Sequence, residues 1–142
     1  MWDRIPEDLS GQIKEALLTL LSNEDQANIK NAGICLAIIA AIEVPRNQWP
    51  SFLTMMKDNS TNENYMWRLA AVQTLGFTCE FLEQIVEANP DVPQLLSLEQ
   101  IGDILHSSVL NIDKNHIELT KIAIKALQRT IPATKPCFAV TE

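Results

Sequence analysis

Residues 32–42, AGICLAIIAAI, carry no charged side chain and no polar group stronger than a thiol. Wound at 3.6 residues per turn, this run is apolar around its whole circumference. A helix of that kind stays in water only if other elements cover most of its surface. One partner helix cannot cover it, so the chain is expected to sandwich it between neighbours. No strand pattern competes: no sustained apolar–polar alternation is bounded by hairpin turns. Glycine, which all-β chains spend on turns, occurs only 4 times in 142 residues. The fold class is therefore all-α.

Six helices follow from apolar spacing and punctuation. The first is expected over 7–21, opened by Pro6 and closed by Ser22 or Asn23; the second over 25–42. The third spans about 50–57, before the polar turn 58–62. The fourth starts at 62–64 and ends at the Asn-Pro-Asp-Val-Pro run, 89–93. The fifth follows Ser97, where Ser97 and Gln100 have the spacing of a capping box. The sixth covers 116–130, with Pro132 and Pro136 as stops.

Three of these helices share an internal pattern. Ala70-Ala71-Val72 aligns with Ala32-Gly33-Ile34, and Ala71 and Leu75 align with Ala123 and Leu127. Each block is the second helix of a pair, with small residues early and large apolar residues after them. Helix pairs at this period suggest an α-solenoid of the HEAT or armadillo kind, with a compact helical bundle as the alternative. The repeats fall at about 6–42, 46–88 and 97–131, and 132–142 forms a tail or begins a further repeat.

The corner between the second and third helices, residues 42–50, reads IEVPRNQWP. Pro45 disfavours helix at Val44, and Pro50 suits the first turn of the next helix. A loop needs no tryptophan, so Trp49 is expected to cover the seam between two repeats. Together with Ala37, Ile39, Ala41, Gln48 and Leu53, this corner resembles the point in importin-β (the karyopherin-β family) where one HEAT repeat ends and the next begins. Leu75, Gly76, Phe77 and Cys79 fit the family's next second helix, and Trp2 with Gln12-Ile13-Lys14 resembles the family's entry to its second repeat. The likeness fades beyond Cys79.

That resemblance implies about three N-terminal repeats of a longer nuclear import receptor, found in cytoplasm, nucleus and nuclear pore. It implies binding to the GTP form of the small GTPase Ran and, in the whole receptor, to cargo or importin-α and to FG nucleoporins. The first and last pairs would lack neighbours, so self-association through their exposed ends is expected. A generic HEAT protein–protein scaffold is the alternative reading. Candidate partner-binding residues rest on helical-wheel geometry. They are Gln26 and Asn31 on the second helix, Trp67 and Thr74 on the fourth, and Lys121, Lys125 and Gln128 on the polar side of the sixth. For Trp67, an inter-repeat core contact is the competing reading.

Nothing in the sequence suggests chemistry. His106 and His116 and the three cysteines, Cys35, Cys79 and Cys137, lack zinc-site spacing, so no metal or cofactor is expected. There is no phosphate loop and no nucleophile elbow. Cys35 and Cys79 lie in apolar helices, where cysteine acts as a small core residue. An odd, widely spaced set of thiols favours a reducing compartment. Net charge is −7, and the stretch 69–113 holds seven acids and no lysine or arginine. Such a balance disfavours nucleic acid and anionic membranes as partners. The N-terminus, MWDRIPEDLS, resembles neither a signal nor a transit peptide, and no apolar run is long enough to span a bilayer.

Overall fold

Six α-helices and one short 3₁₀ turn, Trp2–Arg4, make up the computed structural model, which describes residues 2–21, 25–88 and 96–133. The helices are α1 (Glu7–Leu21), α2 (Gln26–Glu43), α3 (Phe52–Asn59), α4 (Tyr65–Ala88), α5 (Leu98–Leu110) and α6 (Ile117–Ala133). No strand occurs among the described residues, and no described helix is long and apolar enough to cross a membrane. The expected stops at 22–23 and 89–93 lie outside the described residues, as does most of the tail.

Short connections make neighbouring helices run back along one another. Three pairs result: α1 with α2, α3 with α4, α5 with α6. The second helices pack in order, α2 on α4 and α4 on α6, as one layer, and α3 packs on α5 in the other. This is the stacked-pair arrangement of a HEAT-like solenoid. One apolar core runs from Leu21 and Leu36 through Phe52 and Leu75 to Ile104 and Leu119. Val72, Ala123 and Ala126 form a smaller cluster between α4 and α6.

Small residues set the spacing of the layer of second helices. A Cβ at Gly76 would lie 2.9 Å from the Ala126 backbone, so α4 and α6 approach to a distance that only glycine permits. At Gly33 the same atom would lie 2.8 Å from the Thr74 hydroxyl. Glycine thus sets the contact between repeats at both seams, Gly33 against Thr74 and Gly76 against Ala126.

The element ends follow local chemistry. Asp25 caps α2, its carboxylate accepting from the Ala27 amide. Ser97 and Gln100 close a reciprocal capping box on α5, at 3.1 and 2.9 Å. Asn62 and Asn64 accept from the Asn64 and Met66 amides as α4 begins. Where Pro132 was expected to stop the last helix, α6 runs through it to Ala133. A proline in the final turn lacks an N–H and so gives up one backbone hydrogen bond, while its fixed φ is itself helical.

Three expectations about burial change. The sandwiched helix is α4, between α2 and α6; α2 keeps an exposed edge at Asn31, Cys35 and Ile38, with no described helix against it. Cys35 is accordingly exposed and not a core residue, because it lies on that edge. On α4 both the Ala71–Thr74–Thr78 stripe and the Leu69–Val72–Gly76 stripe are buried, one facing each neighbouring repeat.

Candidate functional site

Two groups of side chains that bridge helices stand out, one at the corner after α2 and one where α4 meets α6. The first is the corner after α2. Glu43, the last residue of α2, is buried, yet it carries a carboxylate. Lys14 of α1 donates to both its oxygens, at 2.9 and 3.2 Å, and the Trp2 indole N–H donates to Oε2 at 3.2 Å. Buried charge is tolerated when paired and hydrogen-bonded in this way. The Glu43 backbone carbonyl also accepts from the Arg46 and Gln48 amides. Asn47 closes the turn in the left-handed region, at φ 56°, which asparagine adopts more readily than most residues.

Trp49 is 8 % exposed. Its ring lies 4.8 Å from the Phe52 ring of α3 and beneath the Lys14 ammonium, 4.7 Å away. One indole therefore touches the first helix pair through Lys14 and the second through Phe52. This is the seam cover expected from the QWP motif, and its lysine lid is a cation–π contact. Beside it, Trp49, Pro50 and Leu53 line a cleft of about 190 Å³ closed on the α5 side by Glu99, Gln100 and Asp103. Asp103 is already paired with Lys57 at 3.1 Å.

The second group lies where α4 meets α6. Arg129 forms an ion pair with Glu80 at 3.0 Å and lays its guanidinium 4.5 Å over the Phe77 ring. In the sequence Arg129 groups with the polar stripe of α6; in the structure it turns toward α4. Gln73, Phe77 and Glu80 recur at helical spacing on α4, and Phe77 and Glu80 are the two that Arg129 of α6 reaches. The register between two helices set this group, and no motif in either helix announces it.

The wheel-based candidates do not form one site. Lys121, Lys125 and Gln128 share the exposed side of α6. Lys121 reaches Glu118 at 3.5 Å, whereas Lys125 has no ion-pair partner among the described residues. Gln26 and Asn31 are exposed on α2, and Asn31 lies opposite the Gly33 contact with α4, at the other end of the stack. Trp67 is half-buried on α4. Thr74 is 0 % exposed and packed against Gly33, so its side chain is not available at the surface. The helical wheel offers Thr74 as a partner contact, but its side of α4 is the seam with α2.

The thiol chemistry is muted. Burial pushes the Cys79 thiol up to about 11, against a smaller lowering by its hydrogen bond with Thr130. No group of three or more metal-binding side chains occurs among the described residues.

Comparison with known sequences now bears on this arrangement. Over 82 residues the chain is 34% identical to importin subunit beta-1 of Schizosaccharomyces pombe, covering 56% of this chain and 9% of that protein. Over 128 residues it is 27% identical to importin subunit beta-1 of Arabidopsis thaliana, covering 89% of this chain and 14% of that protein. The chain thus spans a small fraction of the length of these relatives. No family model matches the sequence, and no solved structure matches it.

Proposed function

Because this chain is an importin-β-family sequence, corresponding to a short stretch of its relatives, we propose that it is a HEAT-repeat section of a nuclear import receptor. It works by recognition and not by chemistry. The observation that carries this reading is the similarity to importin subunit beta-1 across 89% of the chain. An alignment of that extent includes the Glu43–Trp49 corner, whose Lys14, Glu43, Trp2 and Phe52 contacts give the motif a structural purpose. Stacked pairs present a broad face of second helices to a partner.

The partner assigned first is the GTP form of Ran, met by the inner layer. Lys121 and Lys125 supply positive charge there, and Gln128, Gln26, Asn31 and the half-buried Trp67 are the further contact candidates. Cargo or importin-α, and FG nucleoporins, belong to the larger receptor, which shuttles between cytoplasm and nucleus through the pore.

The residue-level test is charge reversal. Lys121→Glu with Lys125→Glu is expected to weaken binding to immobilised GTP-loaded Ran by about tenfold or more, since rim charges act on association and buried ones cost more. Unchanged affinity with unchanged circular dichroism removes these lysines from the interface.

A further inference from the structure

Arg129 lies four residues beyond Lys125 on α6, and Lys125 four beyond Lys121. Side chains at that spacing are neighbours on a helix, so the three cations form one ridge. Like charges so placed repel one another, and the spacing does nothing for the helix itself. The chain offsets most of this charge with its own acids. Glu118 stands 3.5 Å from Lys121, and Glu80 of α4 stands 3.0 Å from Arg129.

The Arg129 end of the ridge is built differently from the rest. Its guanidinium lies 4.5 Å over the Phe77 ring, which is itself buried. Stacking on a ring fixes the plane of a guanidinium, so little side-chain freedom remains to be lost when it meets a carboxylate. The Glu80 side chain is 41% exposed and that of Arg129 27%. An ion pair this wet is weak, and exchanging its acid for another strands neither charge in the core. Both residues belong to the seam between α4 and α6, where second helices of two repeats meet.

We propose that Arg129 is a further contact for the partner of the second-helix layer, and that Glu80 competes with the partner's carboxylate for it. This rests on the assignment of GTP-loaded Ran to Lys121 and Lys125. In the free chain Glu80 neutralises the arginine and repels an incoming acid. Binding replaces the internal pair with an intermolecular one, while Phe77 keeps the guanidinium in place. Glu80 thereby sets how much of the cationic ridge the partner meets.

Calorimetric titration with GTP-loaded Ran, at low and at physiological salt, tests this on four chains: unmodified, Glu80→Gln, Arg129→Gln and the double variant. Both side chains are more than a quarter exposed, so the fold tolerates the changes. Glu80→Gln keeps the shape of the side chain and frees the arginine. It is expected to bind about threefold tighter or more, with a steeper loss as salt is added. Arg129→Gln is expected to bind about tenfold more weakly. In that background Glu80→Gln is expected to change affinity by less than about twofold, since no arginine is left to withhold. A Glu80→Gln chain that binds no tighter than the unmodified one overturns the proposal and leaves Ran as the partner. So does a gain that is as large without Arg129 as with it. An unmodified chain that does not bind Ran overturns the partner assignment and this proposal together.

Discussion

Lys14 and Glu43 pair at 2.9 Å between the middle of α1 and the last residue of α2, and the same ammonium caps the ring of Trp49. A charge pair and an aromatic wedge thus share one cation. Removing the cation strands a buried carboxylate with only the Trp2 indole for company. Lys14→Met is expected to cost about 2 kcal/mol in urea unfolding, the scale of a hydrogen bond to a charged group. Adding Glu43→Gln is expected to restore part of that loss. A double variant that is the sum of the two single losses would show that the pair does not act as a unit.

Trp49 carries the seam itself. Trp49→Ala is expected to destabilise the chain by about 3–5 kcal/mol, the usual cost of deleting a buried aromatic. Trp49→Phe keeps the contact with Phe52 but shrinks the wedge, so its loss is expected to be smaller. Chemical denaturation followed by circular dichroism reads both. A near-zero change on Trp49→Ala would mean that the ring does not hold the two pairs together.

The two glycine contacts differ in what opposes a methyl group. At Gly76 it is the Ala126 backbone, which cannot rotate away; at Gly33 it is the Thr74 hydroxyl, which can. Gly76→Ala is expected to cost about 1–3 kcal/mol, as overpacking does, despite alanine's better helix propensity. Gly33→Ala is expected to cost less. The Thr74 hydroxyl is buried without a hydrogen-bond partner. Thr74→Val is therefore expected to leave stability unchanged or raise it by about 1 kcal/mol. Melting curves of the three variants rank them.

Cys79 and Cys35 separate by reactivity. Thiolate is the reactive form, and burial holds Cys79 neutral, with its thiol pushed up to about 11. Alkylation at pH 8 followed by peptide mass mapping is expected to label Cys35 readily and Cys79 only after unfolding. The unfolded chain ionises this thiol at lower pH than the folded one. The stability it contributes is therefore complete below about 9.0 and is lost as pH rises toward 11. Cys79→Ala is expected to flatten that alkaline loss in denaturation curves taken between those limits.

Much of the architecture was legible in the residues. The apolar run of α2 pointed to stacked helices, although the helix sandwiched between repeats is α4, and Gly33, one of the small residues singled out, lies at a contact between repeats. Caps written in the sequence, such as Ser97 with Gln100, appear as written. Helix ends placed on prolines were less secure, since Pro132 sits within α6. The candidate site was far less readable. Helical wheels sort each helix by itself, so they separated Arg129 from Phe77 and Glu80, which meet only through inter-helix register. They also left the Thr74 side of α4 open, when that side is the seam with α2. The lysine above Trp49 could not be foreseen either, because α1 and the corner are joined only in three dimensions.

Calorimetric titration of the chain with Ran, loaded with GTP in one experiment and GDP in the other, tests the central claim most directly. Binding to the GTP form that is at least tenfold tighter than to the GDP form is the predicted result. Equal affinity for the two nucleotide states, or no binding by a chain whose circular dichroism is fully helical, would contradict the assignment.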